Sequence, residues 1–185
     1  MSINYQQVVK DTNEVIRQKS KDVTLPLCPE DEQLLMDMLN SVRDSQDEEL
    51  AEKLDLRPAV GIAAIQLGVP KKMLAVVVPK DEEEDYEFAL VNAKIISESV
   101  QRAYLKAGEG CLSVDEEHQG YVPRAARIKV KAYDLLRDQE IVITASGYLA
   151  IVLQHEIDHF SGTLFYDRIN KSNPWQEVED AIVIE

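Results

Sequence analysis

Apolar positions recur at helical spacing early in the chain, gather in short β-branched blocks through the middle, and crowd into one continuous run near residue 150. Leu34, Leu35, Met38, Leu39 and Val42 follow Pro29-Glu30-Asp31-Glu32, a proline and three acids that suit a first helical turn, so a helix is predicted from Pro29 onward. The run Met73-Leu74-Ala75-Val76-Val77-Val78 reads as a strand ended by Pro79, and residues 88–91, 95–100, 128–133 and 140–144 read as further strands. A last strand is predicted over residues 181–184. A second helix is predicted over 148–160, with Ser146 as its N-cap and Gly162 beyond its end.

Between these elements, residues 4–19 suit a short helix or an irregular arm, and the acidic stretch 44–52 either continues the first helix or loops out from it. Asp81-Glu82-Glu83-Glu84-Asp85 reads as a solvated turn. Strands clustered together, with few helices and no strand–helix alternation, predict an α+β fold. No repeat, linker or shift in composition divides the chain, so residues 1–185 are expected to form a single catalytic domain.

Composition narrows the functional classes. The 185 residues are 45% apolar and 29% charged, ordinary for a globular domain, but the net charge is -14. That excess of acid argues against DNA or anionic membranes as partners, because phosphates attract Lys and Arg. No apolar run approaches the ~18–20 residues that span a bilayer. The first 22 residues have neither the apolar core of a secretory signal nor the acid-poor, Arg-rich character of a transit peptide, so a cytoplasmic protein is expected. The two cysteines, Cys28 and Cys111, are then expected as free thiols.

The segment with chemistry is His155-Glu156-Ile157-Asp158-His159. Residues advance ~100° around an α-helix, so the two histidines lie ~40° apart, one turn above the other, and both can reach one metal ion. Glu156 sits beside that face, free to exchange protons with water polarised by the ion rather than to ligate it. Two neighbouring histidines on a helix can also be mere hydrogen-bonded neighbours. Here, however, they directly follow Leu149-Ala150-Ile151-Val152-Leu153, and so apolar a helix is buried, where imidazoles need partners or a metal. A metzincin third histidine would fall at Phe165, and no methionine follows Met73 to form a Met-turn. A thermolysin-like site would take Glu177 or Glu179, which lie in a short acidic tail rather than a helix. Cys111, in Gly108-Glu109-Gly110-Cys111-Leu112-Ser113, is the better candidate: its thiolate suits a borderline-soft ion and its glycines permit close approach.

Three ordered motifs now stand together: Ala59-Val60-Gly61-Ile62-Ala63-Ala64-Ile65-Gln66, Glu109-Gly110-Cys111-Leu112-Ser113, and Gln154-His155-Glu156-Ile157-Asp158-His159. With them the chain resembles the peptide deformylase family. Ser45-Gln46-Asp47, Phe165-Tyr166-Asp167-Arg168-Ile169 and the strand-like C-terminus resemble its Gram-positive class. The resemblance implies mostly antiparallel or mixed sheets around a central metal-binding helix, with a C-terminal strand. It implies a metal-dependent hydrolase that removes the N-formyl group from the initiator formylmethionine of nascent bacterial polypeptides, releasing formate. Cys111, His155 and His159 would be the ligands, most often of Fe(2+), with Zn(2+), Ni(2+) and Co(2+) also acceptable to such a site. Glu156 would be the general acid/base, and the Gln66 amide and Leu112 N–H would donate to the developing oxyanion. Backbone near Val60, Gly61 and Gly110 would hold an extended peptide as an added strand, while Tyr148, Ile151 and Val152 would wall the methionine pocket. A monomer is expected, with at most a transient and local ribosome contact.

The chain departs from the family pattern at Ala59, where a glycine is usual, and at Ile65, where proline is common. Neither supplies a reacting group. The competing readings are a metallopeptidase cutting internal bonds and a binding homologue without turnover; the full set of ligands, with Glu156 and Gln66, argues against the latter. Of the remaining residues, Glu109 is expected to pair with Arg124, His118 to be exposed in a polar loop, Cys28 to be a passive thiol, and Trp175 to anchor the C-terminal segment.

Overall fold

The computed structural model describes residues 3–80 and 84–185, so part of the expected acidic turn, residues 81–83, lies outside the described residues. The first helix, α1, spans Pro29–Ser45 and buries Leu35, Met38, Leu39 and Val42 on one stripe. The acidic stretch after it is neither a continuation nor a loop. It forms a second helix, α2 (Glu48–Leu54), because the Asp47 side chain caps it by accepting the Leu50 N–H at 3.0 Å. Residues 4–19 form an arm with 3-10 turns at Tyr5–Gln7 and Glu14–Arg17.

Among the described residues eight strands follow: β1 (Gly61–Ala63), β2 (Met73–Val78), β3 (Tyr86–Glu98), β4 (Arg102–Leu105), β5 (Arg124–Ala125), β6 (Arg127–Asp134), β7 (Gln139–Ser146) and β8 (Ile182–Ile184). They build an antiparallel sheet ordered β1-β2-β3-β6-β7 and a small mixed sheet ordered β5-β4-β8, in which β8 runs parallel to β4. The predicted strands 88–91 and 95–100 are one bent strand, β3, whose register shifts near Asn92, a residue with φ of 54°. Among the described residues, no helix is long and apolar enough to cross a membrane.

The larger sheet lies between two apolar layers. Leu35, Met38 and Leu39 of α1 pack on the face carrying Met73, Ala75 and Val77, while Leu74, Val76 and Leu90 face Leu149, Val152 and Leu153 of the third helix, α3 (Gly147–Asp158). Strand β2 is therefore buried at all six positions, which explains its unbroken apolar run where β6 alternates. Helix α3 meets strands of both sheets and is apolar on most of its circumference for the same reason. Gln154 ties it to β5, accepting from Ala125 N–H at 2.9 Å and donating to Ala125 C=O at 2.9 Å. At its far end Gly162 is obligatory: φ is 71°, and a Cβ there would lie 2.2 Å from the Arg17 carbonyl oxygen of the arm. The last ligand position departs slightly from expectation, since α3 ends at Asp158 and His159 opens a 3-10 turn.

Candidate metal centre

Cys111, His155 and His159 converge, with one donor atom from each lying within 4.8 Å of the others. Sγ of Cys111 is 3.5 Å from Nε2 of His159. Among the described residues no other group of His, Cys, Asp and Glu converges in this way, so Glu177 and Glu179 take no part. The thiolate and two imidazoles suit a borderline-soft divalent ion. Two atoms beside them make no hydrogen bond among the described residues although buried: Nδ1 of His159 and Oε2 of Glu156. Buried polar atoms without partners are costly, which fits a site built for additional groups.

His155 is oriented from behind. Its Nδ1 lies 2.9 Å from Oε2 of Glu109, which leaves its other nitrogen to the cluster. Glu109 in turn takes two hydrogen bonds from Arg124, at 2.6 and 2.8 Å, and the Arg124 guanidinium is itself buried. The expected pair is present, and it extends further than the sequence suggested. Arg124 Nη1 reaches Asp158 at 2.9 Å, and Arg168 closes on the same carboxylate with two contacts of 2.6 Å. Burial alone would raise the Glu109 carboxyl, but the hydrogen bonds from Arg124 and His155 outweigh it and hold the group at about 2.

The remaining titrating groups follow from burial and neighbours. Burial pushes Glu156 up to about 7, against the lowering influence of His155 and Arg124. Burial likewise lowers His159 well below the ordinary range, keeping its imidazole neutral. His155 also feels burial, yet its hydrogen bonds to Cys111 and Glu109 raise it well above that range. The proton such a histidine carries is one that a bound cation displaces, because thiolate and imidazole bind metals in deprotonated form.

The other expected residues gather in one cleft of about 960 Å³ that includes Val60, Gly61, Gln66, Gly110, Leu112, Tyr148, Ile151, Val152 and Glu156. The Gln66 amide is fixed: its oxygen accepts Ala63 N–H at 2.8 Å, and its nitrogen lies 3.2 Å from Ser113 Oγ and 3.5 Å from Cys111 Sγ. The Leu112 N–H makes no hydrogen bond among the described residues, while its carbonyl accepts Lys10 Nζ at 3.0 Å. Strand β1 is an edge strand. The Val60 carbonyl is taken by Val77 N–H at 2.9 Å, so the alternation of an antiparallel ladder turns the N–H and C=O of Gly61 to the free edge. Tyr148 is half-open to the cleft, whereas Ile151 and Val152 are buried in its wall. A Cβ at Gly110 would meet nothing within 4 Å, so that glycine keeps the cleft open rather than relieving strain.

One expectation needs correction. His118 is not a freely exposed loop residue: it is partly buried, lines the cleft and stacks on Tyr166 with ring centroids 4.1 Å apart, because its loop folds over residues 165–166. The arm of residues 4–19 also reaches the site. Val9 N–H donates to Gln66 C=O at 2.7 Å and Asp11 N–H to Ser113 C=O at 2.8 Å, so it braces two site loops from outside. Cys28 is an exposed thiol at the N-cap of α1, and both cysteines are free.

A helix bearing His-Glu-x-x-His, a cysteine on a glycine-rich loop and a carboxylate left unpaired beside them define a metal-dependent hydrolase. The polypeptide deformylase family model matches residues 5–175. The chain is 48% identical to peptide deformylase 2 of Bacillus subtilis over 99% of both chains, and 46% identical to the peptide deformylase of Oceanobacillus iheyensis over 99% of this chain and 100% of that one. Its fold superposes with a TM-score of 0.75 on the peptide deformylase of Ehrlichia chaffeensis in complex with actinonin, at 30% identity, covering 94% of this chain and 92% of that one. The chain belongs to the polypeptide deformylase family, and to its Gram-positive type.

Proposed function

We propose that the chain removes the formyl group from the initiator formylmethionine of nascent bacterial polypeptides, with Cys111, His155 and His159 holding Fe(2+) in the cell. Zn(2+), Ni(2+) and Co(2+) suit the same donors. The observation that carries this reading is the buried Oε2 of Glu156, without a hydrogen bond among the described residues, beside the three converging donors in a cleft that Gly61 of β1 also lines. When bound, the ion supplies Lewis acidity and makes water a nucleophile near neutral pH.

Glu156, raised to about 7, is matched to taking a proton from that water and returning it to the departing amine. The water oxygen bonds to the formyl carbon, the carbon–nitrogen bond breaks, formate leaves, and the amine gains the proton held by Glu156. Gln66 Nε2 and the Leu112 N–H are the donors for the oxygen that gains charge during this step. The free-edge N–H and C=O of Gly61, with backbone at Val60 and Gly110, hold the substrate extended, and Tyr148, Ile151 and Val152 receive the methionine side chain. Residues 1–185 act as one catalytic domain, a monomer of the bacterial cytoplasm. Its charge of -14 leaves room for only a transient, local ribosome contact.

Formate release from formyl-Met-Ala-Ser tests the reading, using protein purified under reducing conditions and supplied with one metal at a time. Turnover with Fe(2+) or Ni(2+) and none after chelation is expected. A metal-replete sample that binds the peptide without releasing formate would make the chain a binding homologue.

A further inference from the structure

The two donors for the oxygen that gains charge, Gln66 Nε2 and the Leu112 N–H, sit on segments that share no strand or helix. Gln66 belongs to a 3-10 turn, Ala64–Leu67, and Leu112 to the irregular stretch between β4 and β5. A direct tie between them is the Gln66 amide, which donates to Ser113 Oγ at 3.2 Å. The arm supplies further ties through three consecutive residues. Val9 N–H donates to Gln66 C=O at 2.7 Å, Lys10 Nζ to Leu112 C=O at 3.0 Å, and Asp11 N–H to Ser113 C=O at 2.8 Å. Within the loop, Cys111 C=O is taken by Val114 N–H at 3.1 Å, so it is the next two carbonyls that the arm holds from outside.

Lys10 differs from its two neighbours because a side chain does the holding. A lysine stem is flexible and ordinarily leaves its ammonium in water. Here the side chain is only 25% exposed, and the ammonium meets three partners for its three donors. They are Leu112 C=O, Asp115 Oδ1 at 3.0 Å, and the face of Tyr5, whose ring centroid lies 3.5 Å away. Those partners are fixed in turn. The Tyr5 hydroxyl donates to the same Asp115 carboxylate and accepts from Arg57 Nη1 at 2.9 Å, while Tyr5 N–H donates to Asp55 C=O at 3.1 Å. Just past the arm, Ser20 N–H donates to Phe160 C=O at 2.8 Å, next to His159. The arm is thus anchored at both ends, and the ordering cost of Lys10 is met by the fold.

We propose that Lys10 is a positioning residue for deformylation: by fixing Leu112 C=O it restrains the turn that aims the Leu112 N–H, and so holds that donor in register with Gln66 Nε2. The inference rests on the deformylase reading. Oxyanion donors act only over a narrow range of distance, and the charge they meet develops only in the transition state. Loosening one of them should therefore lower kcat and leave substrate affinity alone.

The test measures formate release from formyl-Met-Ala-Ser by Ni(2+)-loaded wild type, Lys10→Met and Lys10→Arg, normalised to bound metal. Lys10→Met keeps the length of the stem and loses the donors, and its kcat should fall about tenfold with KM within twofold of wild type. Lys10→Arg still reaches the carbonyl and the carboxylate and should recover most of that loss. The Co(2+)-loaded Lys10→Met protein should keep the wild-type thiolate-to-metal absorption band, because Cys111 stays in place. If Lys10→Met does not fold, Tyr5→Leu carries the same test: it removes the ring beneath the ammonium and the hydroxyl on Asp115, and should lower kcat by two- to fivefold at unchanged KM. An inert wild type removes the deformylase reading and this proposal with it. An active wild type matched in kcat per bound Ni(2+) by the folded variant overturns this proposal alone. So does a loss confined to KM, or an altered Co(2+) band, which would mean that Lys10 acts through the metal ligand rather than through Leu112.

Discussion

Gly61 and Glu156 are in contact that only glycine permits: a Cβ on Gly61 would lie 2.7 Å from Oε1 of Glu156 and 2.9 Å from its Cγ. The edge strand that presents its backbone to the cleft is thereby also the surface against which the carboxylate is positioned. The glycine at this place in the first motif serves side-chain placement as well as peptide binding.

Gly61→Ala should therefore act on catalysis more than on the fold. An added methyl group in a packed site costs ~1–3 kcal/mol of stability, but a displacement of the carboxylate by about an ångström can cost ~10² in rate. Thermal unfolding and formate release on one preparation check this. A Gly61→Ala variant with wild-type kcat/KM would show that Glu156 relocates without consequence.

Glu156→Gln keeps the size of the side chain and removes its proton exchange. Metal content should match wild type, while kcat/KM for formyl-Met-Ala-Ser should fall by ~10² or more. Metal analysis beside the assay separates loss of chemistry from loss of the ion, and near-normal turnover in a metal-replete sample would remove Glu156 from the proton-shuttling role.

What could be read ahead of the structure was whatever repeats with a period or sits within a few residues. The stripe Leu35, Met38, Leu39, Val42 and the block 73–78 follow from side-chain direction alone, and both elements occur with those bounds or close to them. The histidines of α3 are neighbours because a helix makes them so, and Cys111 joined them through its chemistry. Strands β4 and β5, of four and two residues, carry no period long enough to notice. The gap between the strands predicted at 88–91 and 95–100 falls where Asn92 takes a left-handed backbone and spends its side chain on Val23, accepting its N–H and donating to its C=O. The Arg168–Asp158–Arg124–Glu109–His155 chain crosses four separate segments. Only its Arg124–Glu109 link had a signal, a carboxylate near the metal loop in need of a cation. That Gly61 rather than Val60 faces the free edge depends on strand register, which motif spacing does not encode.

Cys111 as a metal ligand predicts a protection pattern. Bound as thiolate it should resist alkylation while the ion is present and react after chelation, whereas exposed Cys28 should label equally in both states. Mass spectrometry of the two cysteine peptides gives the comparison within one sample. Equal labelling of Cys111 with and without metal would count against ligation.

The depressed carboxyl of Glu109 makes a statement about acid stability. Its folded-state value of about 2 lies below the ordinary 4.5, so the unfolded chain binds the proton more readily than the folded one. The stabilisation is complete above the unfolded value, shrinks as the pH falls below about 4.5, and is gone once the pH passes below about 2. With the side chain only 3% exposed, little solvent screening applies, and the shift corresponds to on the order of 3 kcal/mol. Glu109→Gln leaves the buried Arg124 with Asp158 as its remaining acidic partner and weakens the support of His155. The variant should thus be less stable than wild type at pH 7, and the gap should narrow steadily between pH 5 and the lowest pH at which both fold. Urea unfolding of both proteins in the presence of chelator measures it, because removing the ion from both keeps metal loss in acid out of the comparison. A gap that stays constant from pH 7 down to pH 3 would mean that Glu109 titrates alike in the folded and unfolded chain, and that the Arg124–Glu109–His155 link holds geometry without contributing to acid stability.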